Sequence, residues 1–175
     1  MKNIFFTLGV VFSLCILGGC GKNSNDLTFF NDFENIKPWF IDSSVTKGNA
    51  HSGEYAVKTG LPHEFSLGFH MKCKEISKNP LKKIKVSVWV NLSDTMTDAV
   101  LVTGINSPQT PNVLYDGKPL NKIVRQKDKW SEITAEYFIN KGDLNQAENL
   151  ILVYIWNKGN HPVLMDDLKV SFEEQ

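Results

Sequence analysis

Residues 84–92 alternate without interruption, with Ile84, Val86, Val88, Val90 and Leu92 on one parity and Lys85, Ser87, Trp89 and Asn91 on the other. An extended chain points successive side chains to opposite sides. A period of two therefore specifies a strand with one face on a core and the other toward water. The pattern returns twice. Phe65, Leu67, Phe69, Met71 and Cys73 stand against Ser66, Gly68, His70 and Lys72, and Ile133, Ala135, Tyr137 and Ile139 follow Trp130. Residues 28–34, 54–59, 99–105, 150–157 and 163–172 read as further strands, eight or nine in all. Five alanines against an aromatic share of 11% speak against a helix bundle. Residues 106–129 hold three prolines and a Tyr115-Asp116-Gly117 turn signal, and read as a long irregular connection. One helical turn is expected near residues 143–148. With no repeat or second linker, residues 27–175 read as one all-β domain, a two-sheet antiparallel β-sandwich.

The chain opens in another register. Met1-Lys2-Asn3 is a short positive start, and the fourteen residues Ile4 to Leu17 are apolar apart from Thr7, Gly9 and Ser13. That is short of the roughly 20 residues that span a bilayer, and it suits an export signal. The run ends in Leu17-Gly18-Gly19-Cys20, which resembles the lipobox of bacterial lipoproteins. The resemblance implies a signal peptide over residues 1–19, cleavage before Cys20, and lipid on its sulfur. Residues 20–26 are small and polar, a tether of about 25 Å when extended. Gly21 in place of aspartate is similar to outer-membrane lipoproteins. The localisation expected is therefore the bacterial cell envelope, lipid-anchored, at the outer membrane. Cys15 leaves with the signal and Cys20 carries lipid, so Cys73 has no partner for an intrachain disulfide.

Composition narrows the function. Nineteen basic and nineteen acidic residues cancel, and Arg125 is the only arginine, which gives no support to nucleic-acid binding, where clustered cations are expected. The nucleophile elbow, the phosphate-binding glycine loops and paired C-x-x-C cysteines do not occur. His51, His63, His70 and His161 are not spaced as metal ligands. Cys73 shares the parity of a core row, where a thiol is an inert small hydrophobe. No catalytic residue is assigned, and the chain is not expected to be an enzyme.

Several segments, taken in order, resemble one family. They are Asp32-Phe33-Glu34 with Trp39 close behind, His51-Ser52-Gly53-Glu54-Tyr55-Ala56, the strand around Trp89, Trp130 ahead of Ile133, Ala135 and Tyr137, and Asp166-Asp167-Leu168-Lys169-Val170. Together they look like the carbohydrate-binding modules of the galactose-binding-like jelly-roll type, near families four, nine and twenty-two. The resemblance implies a two-sheet jelly roll, non-catalytic glycan binding and one structural calcium ion. It places the calcium at Glu34, Ser52, Tyr55 and Asp166, with Tyr55 acting through its carbonyl and serine standing where an acidic residue is common. Asp166 shares the parity of Leu164, Leu168, Val170 and Phe172, and a carboxylate on a core row needs a partner.

Strand parity also suggests a sugar surface on the face away from the core. It gathers His70, Trp89 and Asn91, adds Tyr154 and Trp156 if Ile151, Val153 and Ile155 are the core row, and draws in Arg125. Aromatic faces stack on pyranose C–H groups while polar neighbours bond the hydroxyls. The competing arrangement has the 106–129 connection folding over these rings as a minor core. The functional expectation is a membrane-anchored lipoprotein that binds a polysaccharide or oligosaccharide. The alternative is a structural or assembly lipoprotein that uses the same fold to contact envelope proteins. Lipidation is directly testable: a fatty-acid analogue should label the wild type and not Cys20→Ser, and equal labelling would refute the lipobox reading.

Overall fold

The computed structural model describes residues 27–35, 44–109, 113–139 and 147–175. The signal segment, the tether, Trp39 and most of the 143–148 turn lie outside the described residues. Ten strands occur in the order β1 (Leu27–Asn31), β2 (Val45–Lys47), β3 (Tyr55–Thr59), β4 (Phe69–Lys72), β5 (Leu81–Leu92), β6 (Val100–Asn106), β7 (Leu114–Pro119), β8 (Trp130–Phe138), β9 (Leu150–Trp156) and β10 (Val163–Glu174). Two single-turn helices, α1 (Cys73–Ile76) and α2 (Leu120–Ile123), follow β4 and β7. All pairings of named strands are antiparallel.

The larger sheet runs β2-β3-β10-β5-β8, and the smaller runs β4-β9-β6-β7. β1 joins the larger sheet on the edge of β10 that β3 also uses: β3 takes Val163 to Met165 and β1 takes Leu168 to Phe172. Between the sheets lies one core. Val86, Val88 and Val90 of β5, with Met165, Val170 and Phe172 of β10, face Leu101, Ile105, Ile151, Val153 and Ile155 of the smaller sheet, all buried. The 84–92 alternation thus places its apolar row in the core, as its period requires.

Three sequence expectations are corrected by backbone detail. Residues 65–73 are not one strand: only Phe69–Lys72 is β4, and Cys73 starts α1. Gly68 interrupts the run, because any Cβ there would collide with the Val153 carbonyl. Phe65 consequently leaves the inward row and is 58% exposed. Second, the 106–129 stretch is not irregular. It contains β7, which pairs with β6 from Val100↔Pro119 to Ile105↔Leu114 and closes the edge of the smaller sheet. Its proline occupies the last strand position, where an edge strand can dispense with a donor. At its far end the stretch returns to the larger sheet, where Asp128 donates its N–H to the Leu92 carbonyl (2.8 Å).

Third, the parity of β10 changes midway. Asp166 pairs with Trp89 and Lys169 with Ser87, so β10 uses three steps where β5 uses two. Asp167 is the extra residue of this bulge, with φ at 47°. Val163 and Met165 face the core above it, and Leu168, Val170 and Phe172 below it. Asp166 therefore lies on the outer face with Leu164, not in the core row, and is buried by a loop instead.

Cys73 is 7% exposed, and burial pushes its thiol above the ordinary range, so the reactive thiolate is scarce. In the folded chain the Cys73 peptide should label with iodoacetamide about a hundredfold more slowly than in urea, read by mass spectrometry. Equal rates would mean that the β4–α1 corner is open.

Candidate functional site

The outer face of the smaller sheet carries an array of rings. Ile151, Val153 and Ile155 of β9 are buried in the core, so Leu152, Tyr154 and Trp156 point outward. β4 pairs His70 with Leu152, which sets His70 on the same face. Ahead of β4 the chain continues along β9. Ser66 N–H donates to the Ile155 carbonyl (2.9 Å), and Asn157 N–H donates to the Glu64 carbonyl (2.7 Å). The Ile155 N–H donates to Ser66 Oγ (2.8 Å). These bonds seat Phe65 beside Trp156, with ring planes 3° apart and centroids at 6.2 Å, and 5.9 Å from the Tyr154 ring. On β7, Tyr115 lies opposite Gly104 and is 53% exposed.

Polar groups border the rings. Lys158 Nζ lies 4.2 Å above the Trp156 ring as a cation–π contact. Trp156 Nε1–H makes a long 3.5 Å bond to Glu64 Oε2. Burial, and then the neighbouring Tyr115 phenol, push the Tyr154 hydroxyl above its ordinary value, so it remains a neutral donor and acceptor. Between Phe65, Ser66, Phe69, His70 and Tyr154 lies an open hollow of about 250 Å³. Flat apolar faces with donors and acceptors at their edges can stack on a sugar ring and bond its hydroxyls.

The residues expected at a sugar surface divide between two faces. His70, Tyr154 and Trp156 come together on the smaller sheet. Trp89 and Asn91 sit on the outer face of the larger one, across the core. Arg125 is exposed in the link between α2 and β8 and does not line the hollow beside His70 and Tyr154. Trp89 is not an open platform either: the His51 imidazole stacks on it at 3.7 Å and 13°, and Trp130 meets His51 edge-on at 5.7 Å. Two ring-bearing residues of the aromatic face escaped the sequence reading. Phe65 was assigned to the core by unbroken parity, and the interruption at Gly68 is the signal that could have released it. Tyr115 was assigned to a turn.

The loop that carries His51 is held by carboxylates. Asp166 Oδ2 accepts the N–H groups of His51 (2.8 Å) and Ser52 (3.1 Å), and its Oδ1 accepts the N–H of Asp167 (2.8 Å). Burial raises the Asp166 carboxyl, and these three donors oppose that rise. Asp167 binds His51 Nδ1 at 2.6 Å and accepts from Ser52 Oγ at 2.7 Å. From the other side, Glu34 Oε1 accepts the N–H groups of Glu54 (2.8 Å) and Tyr55 (2.7 Å). Gly53, at φ 60°, leaves room for the Glu34 side chain, which a Cβ would strike.

No protein-family model matches the chain, and no curated protein matches it. Solved structures do. The tandem CBM22-1–CBM22-2 domain of Paenibacillus barcinonensis Xyn10C aligns with a TM-score of 0.51 at 14% identity, over 89% of this chain and 48% of that one. The CBM22-1 xylan-binding domain of the same Xyn10C aligns at 0.48 and 16% identity, over 75% and 80% of the two chains. A cyclase from Fischerella sp. TAU aligns at 0.47 and 12% identity, over 76% and 70%. The tandem-domain likeness establishes the fold, the two-sheet jelly roll of carbohydrate-binding modules, in agreement with the galactose-binding-like architecture expected from the sequence.

Calcium needs six to eight oxygens turned toward one point. Of the four expected ligands, Glu34 and Asp166 do converge on the 51–55 loop, but their oxygens are directed at N–H donors. The loop offers Ser52 and Tyr55 to them through amide hydrogens rather than carbonyl oxygens. Among the described residues no group of three or more His, Cys, Asp or Glu is arranged to hold a metal. In this arrangement the donor set does not fit calcium, and the carboxylates hold the loop directly. Melting temperatures in calcium and in chelator should therefore coincide, whereas Asp166→Asn should cost about 2 kcal/mol by setting an amide against N–H groups. A melting point raised by calcium would reverse this reading.

Proposed function

We propose that the chain is a non-catalytic glycan-binding module, carried by a lipid-anchored protein of the bacterial envelope, that engages polysaccharide through the outer face of its smaller sheet. The observation that carries the reading is Phe65. A phenyl ring left more than half exposed forgoes about 1–2 kcal/mol of burial, yet three hydrogen bonds along β9 and the Gly68 contact fix it beside Tyr154 and Trp156. A rigid, exposed ring loses little freedom when a ligand arrives, so more of the stacking energy appears as affinity.

In this reading Phe65 and Tyr154 offer ring faces to pyranose C–H groups, and His70 and the Tyr154 hydroxyl bond sugar hydroxyls at the hollow. Lys158 already occupies one face of Trp156, and its flexible stem lets it move aside or donate to the sugar itself. Anchoring through Cys20 at the outer membrane would hold the bound chain at the cell surface. Support for a polysaccharide partner also comes from the jelly roll itself, which the tandem CBM22-1–CBM22-2 carbohydrate-binding domain named above shares.

Affinity electrophoresis of the full-length chain through gels containing xylan, β-glucan or galactan tests the reading. One of these polysaccharides should retard the parent. Phe65→Ala should weaken retardation about tenfold, equivalent to ~1.4 kcal/mol, with a melting temperature within about 2 °C of the parent because the ring is exposed. If no gel retards the parent, the alternative stands: a structural lipoprotein using this aromatic face against an envelope protein.

A further inference from the structure

A second cleft lies on the opposite side of the molecule, on the outer face of the larger sheet. It measures about 380 Å³, within the range of ~300–1,000 Å³ usual for small-molecule sites. Leu164 and Pro162 contribute apolar lining, and Lys58, Asn91, Ser93 and Asp128 contribute the polar groups used here. We propose that this cleft is a separate carbohydrate site, taking a single sugar unit through its hydroxyl groups.

Asn91 is the centre of the case. It projects outward from β5 between the core residues Val90 and Leu92, is only 6% exposed, and lines the cleft. Its backbone is fixed by ladders on both sides, opposite Leu164 of β10 and Trp130 of β8. Its side-chain amide has no hydrogen-bond partner among the described residues. No described protein group takes the hydrogen bonds of this amide, and it lines the cleft, so a ligand entering there can make them.

The other groups define what that is. Lys58 makes no ion pair among the described residues, unlike Lys47 beside it, which is bound to Glu54 at 2.8 Å. An ammonium can only donate, the Asp128 carboxylate can only accept, and the Asn91 amide does both. A simple anion would meet Asp128, a simple cation would meet Lys58, and an apolar ligand would leave Asn91 unpaired. Hydroxyls donate and accept in turn, so a neutral polyol satisfies all three, while its C–H surface can rest on Leu164. The rim is held by backbone: Asp128 sits at φ 56° with its N–H on the Leu92 carbonyl (2.8 Å), and Gly48 sits at φ 81° with its N–H on the Glu54 carbonyl (2.8 Å).

None of this depends on the aromatic face. Without an exposed ring in its lining, the cleft should bind one sugar unit at millimolar affinity, not an extended chain. The test is amide NMR of the ¹⁵N-labelled full-length chain, titrated with the methyl glycosides of glucose, galactose and xylose. At least one should produce saturable shifts in the Asn91 side-chain amide and in the Ser93 and Leu164 backbone amides. Asn91→Ala and Lys58→Ala should each weaken this binding at least about tenfold, and Phe65→Ala should leave it unchanged. Lys58 is exposed, so its variant folds even if the Asn91 variant does not. Three outcomes overturn the proposal: no saturable shift at these residues with any of the three glycosides, shifts only with inorganic phosphate or glucuronate, or loss of the shifts in Phe65→Ala.

Discussion

The extra residue at Asp167 in β10 is the constraint on which both faces of the larger sheet depend. β10 is the strand that joins β1, β3 and β5, so its register decides what those three strands present. With twelve residues and a strict period of two, its apolar row would have to switch faces between Met165 and Leu168. A residue at φ 47° absorbs that switch and keeps both halves packed inward. The same kink brings two successive carboxylates to the outer face at one level. There they bind the His51 and Ser52 amides, the Ser52 hydroxyl and the His51 imidazole, and that loop lies over Trp89. One backbone irregularity thus completes the core and determines which tryptophan is covered.

Most of the architecture was legible, because strand alternation is local and its consequences are not. Val86 to Leu92, Ile133 to Tyr137 and Ile151 to Ile155 face the core as their spacing requires. What could not be read is where alternation stops. Gly68 ends one row through contact with the Val153 carbonyl, a residue 85 positions away in sequence. Gly117 and Pro119 looked like turn residues and instead belong to an edge strand, where a weak ladder and a missing donor are tolerated. Asp166 has the parity of a core row and stands on the outer face instead. A bulge leaves no mark in hydrophobic pattern beyond a double polar step, and Asp166-Asp167 is that step.

The aromatic face shows the same limit from the other side. His70, Tyr154 and Trp156 could be placed from parity, since β4 and β9 pair in register without a bulge. Parity does not say which sheet a strand joins, so Trp89 and Asn91 looked like members of the same surface. Topology separates them: β5 belongs with β10 and β8, while β9 belongs with β4 and β6. Grouping outward residues by face needs the strand order, which depends on long-range contacts.

Exposure then distinguishes two kinds of aromatic residue that sequence treats alike. His51 stacks on one face of Trp89 and meets Trp130 edge-on, and the imidazole is held by Asp167, so these rings have partners within the molecule. Such a cluster can be accounted for by packing alone. Phe65 and Tyr115 are different, at 58% and 53% exposed on one sheet face. Each would gain by burial, and neither is on a loose segment, since both stand next to paired backbone. Exposure of a single ring is ordinary on a protein surface, but Phe65 packs against Tyr154 and Trp156, and Tyr115 stands on the same sheet face, so the exposed rings are grouped on one face. Charge fits this reading as well. Lys158 and Glu64 border the patch with opposite signs, so neither an anion nor a cation is favoured by the charges beside Trp156, as the proposed glycan site requires.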